Sequence, residues 1–495
     1  MFSAPLWYVI CQFSETVRIN RFHHFRASNL MMRLFRHYVS RALLTLLIAE
    51  SLHLFWSVYF GRALYGVLGA KESLPTFDEI APSALVFTLV MCVIMVAMGL
   101  FERNFWNGKS DMMLRVSVSF MIGLFVIMSI YYLFPDLYLS RGAFSLAFAI
   151  AFVGVVILRL IFFRVSDHAQ IKRRLLVLGV GRQAARLEEL QQDKTGGFSI
   201  LGYIQVHEDE IPGVPAERML QVTTKLSDLT HELSIDEIVV AMDDRRKGFP
   251  IDEVLECKLE GVKVSNFLNF FEQQSGKIQL DALRPSNLIF ADGFQLAMVN
   301  WLIKRLFDIV TSSALLMLAS PIMLFTTLAI WLESGCRGPI LYWQTRVGFN
   351  GNPFEVVKFR SMRVDAEVGG KAIWASKRDP RITRVGAIIR DTRIDELPQL
   401  YNVLRGEMSF VGPRPERPQF VAELAKKIPF YAMRHMVKPG ITGWAQICFP
   451  YGASEEDARE KLQYDLYYIK NYSLFFDVVI LLQTVHTVVW GKGAH

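Results

Sequence analysis

The sequence predicts a membrane protein in three parts. A four-helix transmembrane bundle comes first. A cytoplasmic Rossmann-like α/β domain follows, and then a second α/β domain rooted in the membrane by a fifth apolar helix. Three observations carry this. Four long apolar runs crowd into residues 42–163. Residues 172–181, KRRLLVLGVG, join a strand-like run to a glycine turn and a helical pattern. A fifth apolar run at 304–332 leads into a mixed, basic stretch. The totals agree. The chain has 495 residues, enough for two or three domains. It is 52% hydrophobic, with mean hydropathy +0.27, net charge +7 and pI about 9.0. A basic, apolar chain reads as a membrane protein with basic cytoplasmic faces, not as a nucleic-acid binder.

Residues 1–41 read as an N-terminal cytoplasmic extension. Arg18, Arg21 and Arg26 are followed by no small-residue cleavage site, so this is not a signal peptide pattern. Met31 or Met32 is an alternative start. The runs at 42–60, 82–101, 113–134 and 143–163 each approach the ~20 residues that a spanning helix needs. They define a transmembrane domain over 42–165. Basic residues cluster before the first run (Arg33, Arg36, Arg41), in the second loop (Arg103, Lys109, Arg115) and after the fourth (Arg164, Lys172, Arg173, Arg174). The other loops are poorer, with Arg62 and Lys71 in one and Arg141 in the other. Both ends of the unit should therefore face the cytoplasm. Glu50 and His53, inside the first run, are expected to face the helix interior. The cysteines (Cys11, Cys92, Cys257, Cys336, Cys448) are far apart and form no metal or disulfide spacing.

The middle domain spans 172–275. Leu175–Leu178 reads as a strand, and Gly179-x-Gly181 with Ala184 gives GxGxxA, the opening of a dinucleotide-type βα unit. Further strand-like runs lie at 201–206, 236–241 and 262–267. Gly179 and Gly181 form a candidate nucleotide loop. No single carboxylate closes the second strand, so a structural or regulatory domain without a ligand is the preferred reading. Residues 276–300 read as a linker or hairpin.

The run at 304–332 is long enough to span. Pro321 removes one helical donor, and Ser320 can satisfy a freed carbonyl. A kinked spanning helix and a re-entrant helix broken at Ser320–Pro321 are equally compatible with the residues alone.

In the C-terminal part, 301–495, Arg346, Lys358, Arg360 and Arg363 alternate with aromatic and β-branched residues, as in short strands. Residues 381–404 then read as helical, with Pro398 in the first turn of a helix starting near Asp395. Asp395 and Glu396 there invite two readings. An acid at a helix N-terminus is a common cap, contributing about 1 kcal/mol. Neighbouring helix residues point about 100° apart, however, so both cannot share that task. Arg390, Arg393, Arg405 and Arg414 also exceed what a cap requires and suit a phosphate. A hard carboxylate among phosphates is a usual Mg²⁺ ligand, and an activated carboxylate can be a nucleophile.

The segments KFRSM, RIDELPQLYNVLRGEMSFVGPRP, RHMVKPGITGWAQI and YDLYYIKNYSLFFDVVIL together resemble the bacterial sugar transferase family. These are the monotopic polyprenol-phosphate phosphoglycosyl transferases. The likeness covers about 300–495, and the N-terminal helices and Rossmann-like domain resemble the family's large members. After GWAQ the family usually carries an NGxRG-like stretch. Here it reads ICFPYGASEEDAREKL, closer to exopolysaccharide-type members, which leaves the sugar open.

The resemblance implies transfer of a sugar-1-phosphate from a UDP-sugar to undecaprenyl phosphate, with release of UMP. On that basis Asp395 is the nucleophile and Mg²⁺ contact, and Glu396 supports it. Arg390, Lys358 and Arg360 would hold phosphate, while Pro413, Arg414 and Pro415 would line the nucleotide site. Lys304 and Asp308 open the membrane helix. UDP-sugars are cytoplasmic, so the fifth helix should re-enter at Ser320–Pro321, and 474–490 should lie as an interfacial helix. The expected location is the bacterial inner membrane. A homo-oligomer and downstream glycosyltransferases are candidate partners. Two other classes compete. An NAD-dependent sugar-nucleotide enzyme needs a Tyr-x-x-x-Lys pair, but 182–275 holds one tyrosine, Tyr203, without that lysine. A non-catalytic scaffold would tolerate Asp395→Asn.

Overall fold

The computed structural model describes residues 31–489, apart from 35–36, 71–75, 102–108, 167–172, 193–197, 208, 222–224, 245–247, 291–292, 295–297, 336–337, 364–380, 450–451 and 453. The alternative start concerns residues 1–30, which lie outside the described residues, as do Cys11, Arg36, Lys71, Arg103, Lys172 and Cys336. A short antiparallel pair, β1 (Met31–Leu34) and β2 (His37–Ser40), opens the described chain.

Four long helices follow: α1 (Arg41–Tyr65), α2 (Phe77–Ala97), α3 (Lys109–Leu133) and α4 (Arg141–Ser166). Each contains a stretch long and apolar enough to cross a membrane. They share one buried core, with Leu54, Phe87, Val116, Phe120 and Val155 drawn from all four. Outward residues such as Leu52, Leu89, Phe125 and Ile157 are exposed apolar groups. Glu50 does face the interior. It forms a two-pronged ion pair with Arg159, at 2.8 Å for each prong, and Arg159 also donates to Leu100 O. Arg115, counted above as a loop cation, is buried instead, bonded to Asp111 and to Met98 O. The two arginines thus satisfy carbonyls of the C-cap of α2 and of the turn just beyond it. His53 Nε2 lies 3.1 Å from Ile150 O.

The middle domain is a five-stranded parallel sheet in the order β5-β4-β3-β6-β7. Its strands are β3 (Arg173–Leu178), β4 (Phe198–Ile204), β5 (Met219–Leu220), β6 (Glu237–Val240) and β7 (Lys263–Asn266). Helices α5 (Arg182–Gln192), α6 (Leu226–Glu232), α7 (Ile251–Leu259) and α8 (Phe267–Ser275) accompany them. Leu175 and Val177 pack into one core, Leu176 and Leu178 into another. Alternate side chains thus enter opposite faces, which is why the strand reads as continuously apolar.

The 276–300 segment forms no hairpin among its described residues. It holds a tight turn at Leu280–Ala282 and a short helix, α9 (Pro285–Phe290). Pro285 suits a first helical position because its missing N–H would be unpaired there anyway.

The fifth apolar helix, α10, runs Met298–Glu333 without interruption through Ser320 and Pro321. The expected break is therefore not a gap in helical structure. Pro321 deprives Met317 O of its donor, and Ser320 Oγ donates to that same oxygen at 2.8 Å. Between its ends the helix is exposed, as at Met317, Leu318, Leu324 and Phe325.

The last domain combines an antiparallel pair, β8 (Leu341–Val347) with β9 (Pro353–Phe359), and a parallel pair, β10 (Ser409–Val411) with β11 (Gly440–Thr442). Helices α11 (Arg384–Asp391), α12 (Gln399–Arg405), α13 (Pro418–Lys427), α14 (Trp444–Cys448), α15 (Glu455–Lys470) and α16 (Leu474–Val489) surround them. Asp477, an apparent interruption of the last apolar run, is buried against Lys304 at 2.5 Å, with Tyr468 also donating to it. The charge at the start of α10 is thereby neutralised where it enters the core.

Candidate active site

The acid pair does not begin a helix. Asp395 and Glu396 sit in a single tight turn, Ile394–Glu396, between α11 and α12. Arg393 enters that turn with φ +59°, a left-handed conformation uncommon for a side chain of this size. Glu396 N donates to Arg393 O and Leu397 N to Ile394 O. Pro398 precedes α12 instead of lying inside it. The turn redirects the chain so that both carboxylates point inward, each less than a tenth exposed.

Their surroundings differ. Glu396 Oε1 accepts from Lys358 Nζ and from Arg414 Nη2, both at 2.8 Å, with Arg393 3.9 Å away. Asp395 makes no side-chain hydrogen bond or ion pair among the described residues. Burial raises its pKa first, and the neighbouring Glu396 charge adds to that; Lys358, Arg414 and Arg393 oppose. Burial alone would raise Glu396 as well. Arg414, Lys358 and Arg393 outweigh it and hold Glu396 well below the usual carboxylate range. Two adjacent acids of which one is firmly ionised and the other harder to ionise is the outcome expected of a crowded pair. Burial lowers the Lys358 pKa, against the pull of Glu396.

Three supports fix this geometry. Asn402 is fully buried on α12; its Oδ1 accepts from Val357 N and its Nδ2 donates to Glu355 O. It thus sets the register of β9, which carries Lys358, against the turn that carries Glu396. Glu333, at the end of α10, accepts from Arg384 N and Val385 N and so caps α11. The membrane-type helix is thereby tied to the helix leading into the acid turn.

The third support pins the Pro413–Arg414–Pro415 segment along its backbone. Gly440 N donates to Pro413 O, Arg434 Nη2 to Arg414 O, and Arg346 Nη1 to Pro415 O. Arg434 is buried with Asp465 at 2.9 Å and Tyr431 at 2.6 Å. Burial pushes Asp465 up to about 6 and lowers Arg346 to about 10.

Of the residues expected at the site, Asp395, Glu396, Lys358 and Arg414 come together. Arg360 Nη1 is buried with no hydrogen-bond partner among the described residues. Arg390 makes no ion pair or hydrogen bond to either acid among the described residues. Arg405 lies elsewhere, over Tyr401 and 3.5 Å from Glu407. Ser320, Pro321, Gly179 and Gly181 belong to other parts of the fold. Asn402, Arg434 and Glu333 were not foreseen. Within their own segments nothing separates them from surface polar residues, because their partners are distant in sequence.

The arrangement can hold an anion against a set of cations and present one carboxylate that meets no donor among the described residues. Residues 299–491 match the family model described as bacterial sugar transferase, and residues 96–248 match one described as CoA-binding domain. The UDP-N-acetylgalactosamine-undecaprenyl-phosphate N-acetylgalactosaminephosphotransferase of Aeromonas hydrophila is 43% identical over 238 residues, which is 48% of this chain and 55% of that protein. The chain thus spans about half the length of that relative. The UDP-glucose:undecaprenyl-phosphate glucose-1-phosphate transferase of Klebsiella pneumoniae is 34% identical over 333 residues, 66% of this chain and 69% of the relative. The exopolysaccharide production protein PSS of Rhizobium leguminosarum bv. phaseoli is 44% identical over 202 residues, 39% of this chain and 100% of the relative. The chain belongs to the bacterial sugar transferase family.

Proposed function

We propose that the protein transfers a sugar-1-phosphate from a UDP-sugar to undecaprenyl phosphate, releasing UMP, as the first step of exopolysaccharide or other surface-glycan synthesis. One observation carries this reading. Asp395 is a buried carboxylate with no side-chain partner among the described residues, beside an acid that two cations hold ionised. An Asp395 oxygen attacks the sugar-bearing phosphorus. The bond from that phosphorus to the UMP oxygen breaks, and its electron pair leaves with UMP. An oxygen of undecaprenyl phosphate then attacks the same phosphorus. The acyl-phosphate bond breaks and the carboxylate is restored.

Glu396 keeps Lys358 and Arg414 in place, so that their remaining donors can meet the diphosphate. Arg360, with its unpartnered buried nitrogen, and Arg390 are further phosphate holders. Pro413 and Pro415 shape the wall from which Arg414 projects. Mg²⁺ fits here because Asp395 is a hard ligand with no donor to it among the described residues, and Mg²⁺ is commonly held by one or two carboxylates plus substrate phosphates. Bound there, it would offset phosphate charge.

The fifth helix re-enters instead of spanning, and the catalytic domain lies on the cytoplasmic face of the inner membrane. In support, both ends of α10 are bonded to the same domain. Arg305 donates to Val403 O and Leu404 O, and Asp308 accepts from Ser409 Oγ. At the far end Glu333 caps α11. A straight helix would carry Glu333 about 37 Å from Asp308, beyond a hydrocarbon core of about 30 Å. Were α10 to span, Asp308 and Glu333 would lie on opposite sides of that core, where one domain could not hold both. The four N-terminal helices form the transmembrane bundle, and α16 lies at the interface.

The test is UMP release by membrane-embedded enzyme supplied with undecaprenyl phosphate and a panel of UDP-sugars. One sugar should give turnover with ping-pong kinetics, and Asp395→Asn should give none. Turnover by that variant would overturn the assignment.

A further inference from the structure

The glycine loop of the α/β domain has the form that receives a diphosphate. In such loops the amides at the start of the following helix point at the anion, and the match to a CoA-binding model implies the same use. Here those amides are already taken. Gly181 N donates to Glu210 Oε1 at 3.1 Å. Arg182 N donates to Asp243 Oδ2 at 3.0 Å and Gln183 N to Asp243 Oδ1 at 3.1 Å. Three consecutive donors therefore end on two carboxylates of the same domain.

The space is filled as well. A Cβ on Gly181 would lie 2.6 Å from Asp243 Oδ2 and 3.0 Å from Glu210 Oε1. Gly179, at φ +117°, brings the loop against the end of β6, where a Cβ would lie 2.6 Å from Ala241 O. Asp243, two residues further on, is thereby set beside the first turn of α5. Gly213 N donates to Val180 O at 2.7 Å, so the segment carrying Glu210 is itself bonded to the loop. An incoming diphosphate would meet two negative groups where it needs donors, and like charges at contact repel.

We infer that this loop is closed by the domain's own acids, Asp243 and Glu210, and does not take the diphosphate of CoA or of a dinucleotide. The residues present do not fit that group. The acids cap α5, and the domain joins the catalytic part through α8. There Lys470 Nζ donates to Glu272 Oε2 at 2.5 Å, and Trp444 Nε1 to Gly276 O at 2.8 Å.

Hydrogen exchange on the full chain in nanodiscs tests this, following the loop amides with CoA and NAD as probes. Neither probe should alter exchange in the unsubstituted protein. Asp243→Ala should speed exchange at Arg182 and Gln183 about fivefold or more, with β3 and β6 remaining protected. Glu210→Ala, which leaves the Asp243 cap in place and so keeps the fold if Asp243→Ala does not, should speed exchange at Gly181 by removing its acceptor. Saturable protection of the loop by CoA or NAD would overturn the inference. So would loop exchange unchanged in both variants.

Discussion

Two aspartates, each placed at a turn, mark the contrast between the halves of this molecule. Asp243 in the α/β domain has both oxygens on backbone amides at the start of α5. Asp395 in the catalytic domain has neither oxygen on a described partner, and its neighbour Glu396 takes the cations. The sequence favoured a ligand-free α/β domain and a catalytic acid pair, but admitted the opposite reading of each. The glycine loop suggested a ligand site, and the acid pair admitted a helix-cap reading. A motif states what a backbone can do, whereas which atoms remain unpaired decides what it does.

The largest effect that can break this contrast is at Asp395. Asp395→Asn should abolish measurable UMP release, a loss of at least about 10⁴-fold, with little change in thermal stability, since the side chain has no partner to lose among the described residues. Large destabilisation with residual activity would make Asp395 a structural acid and erase the difference from Asp243.

A pH profile comes next. Burial and Glu396 raise the Asp395 pKa above its ordinary 3.8, and attack requires the ionised form. Activity should therefore rise with pH through a limb shifted up from that of an ordinary aspartate. Lys358→Met removes a charge that lowers both acids, so it should move the limb further up, by about one unit. A limb that moves down, or stays fixed, would mean that another group controls it. Stability carries opposite signs at the two acids. Glu396, depressed, supports the fold above its unfolded pKa, and that support is lost as pH falls through its folded value. Asp395, raised, supports the fold at low pH and withdraws that support as pH rises through its folded value.

Much of the architecture was legible because it rests on local pattern. Four apolar runs of spanning length and a strand–glycine–helix sequence need no partner to be recognised. What stayed hidden depends on distant pairs. Arg159 lies within an apolar run, and only Glu50, on another helix, explains it. Strand β5 is two residues long, too short for any periodicity. The expected helix at Asp395 gave way to a tight turn because Arg393 adopts a left-handed conformation that arginine does not signal. The acid pair stood out as a candidate from motif, but the different surroundings of its two members required Lys358 and Arg414 to be seen on one oxygen.

Asn402 sharpens the comparison on the catalytic side, since it holds β9 against the acid turn with no hydrogen bond to either acid among the described residues. Asn402→Leu leaves Val357 N and Glu355 O without their partner, which should cost about 2–3 kcal/mol in denaturant unfolding. Activity in the folded fraction should also fall as Lys358 loses its register with Glu396. Destabilisation with full specific activity would show that register to be set elsewhere.

The smallest effect belongs to Asp243. As a cap on α5, its replacement by alanine should cost about 1 kcal/mol of α/β-domain stability, while UMP release per folded molecule stays unchanged. A phosphate-binding role predicts the reverse: little stability change, and activity that responds to added CoA or dinucleotide. Asp395→Asn and Asp243→Ala should thus be mirror images, one silent in stability and severe in turnover, the other modest in stability and silent in turnover. Measuring both on the same membrane preparation decides whether the two aspartates differ in function or only in surroundings.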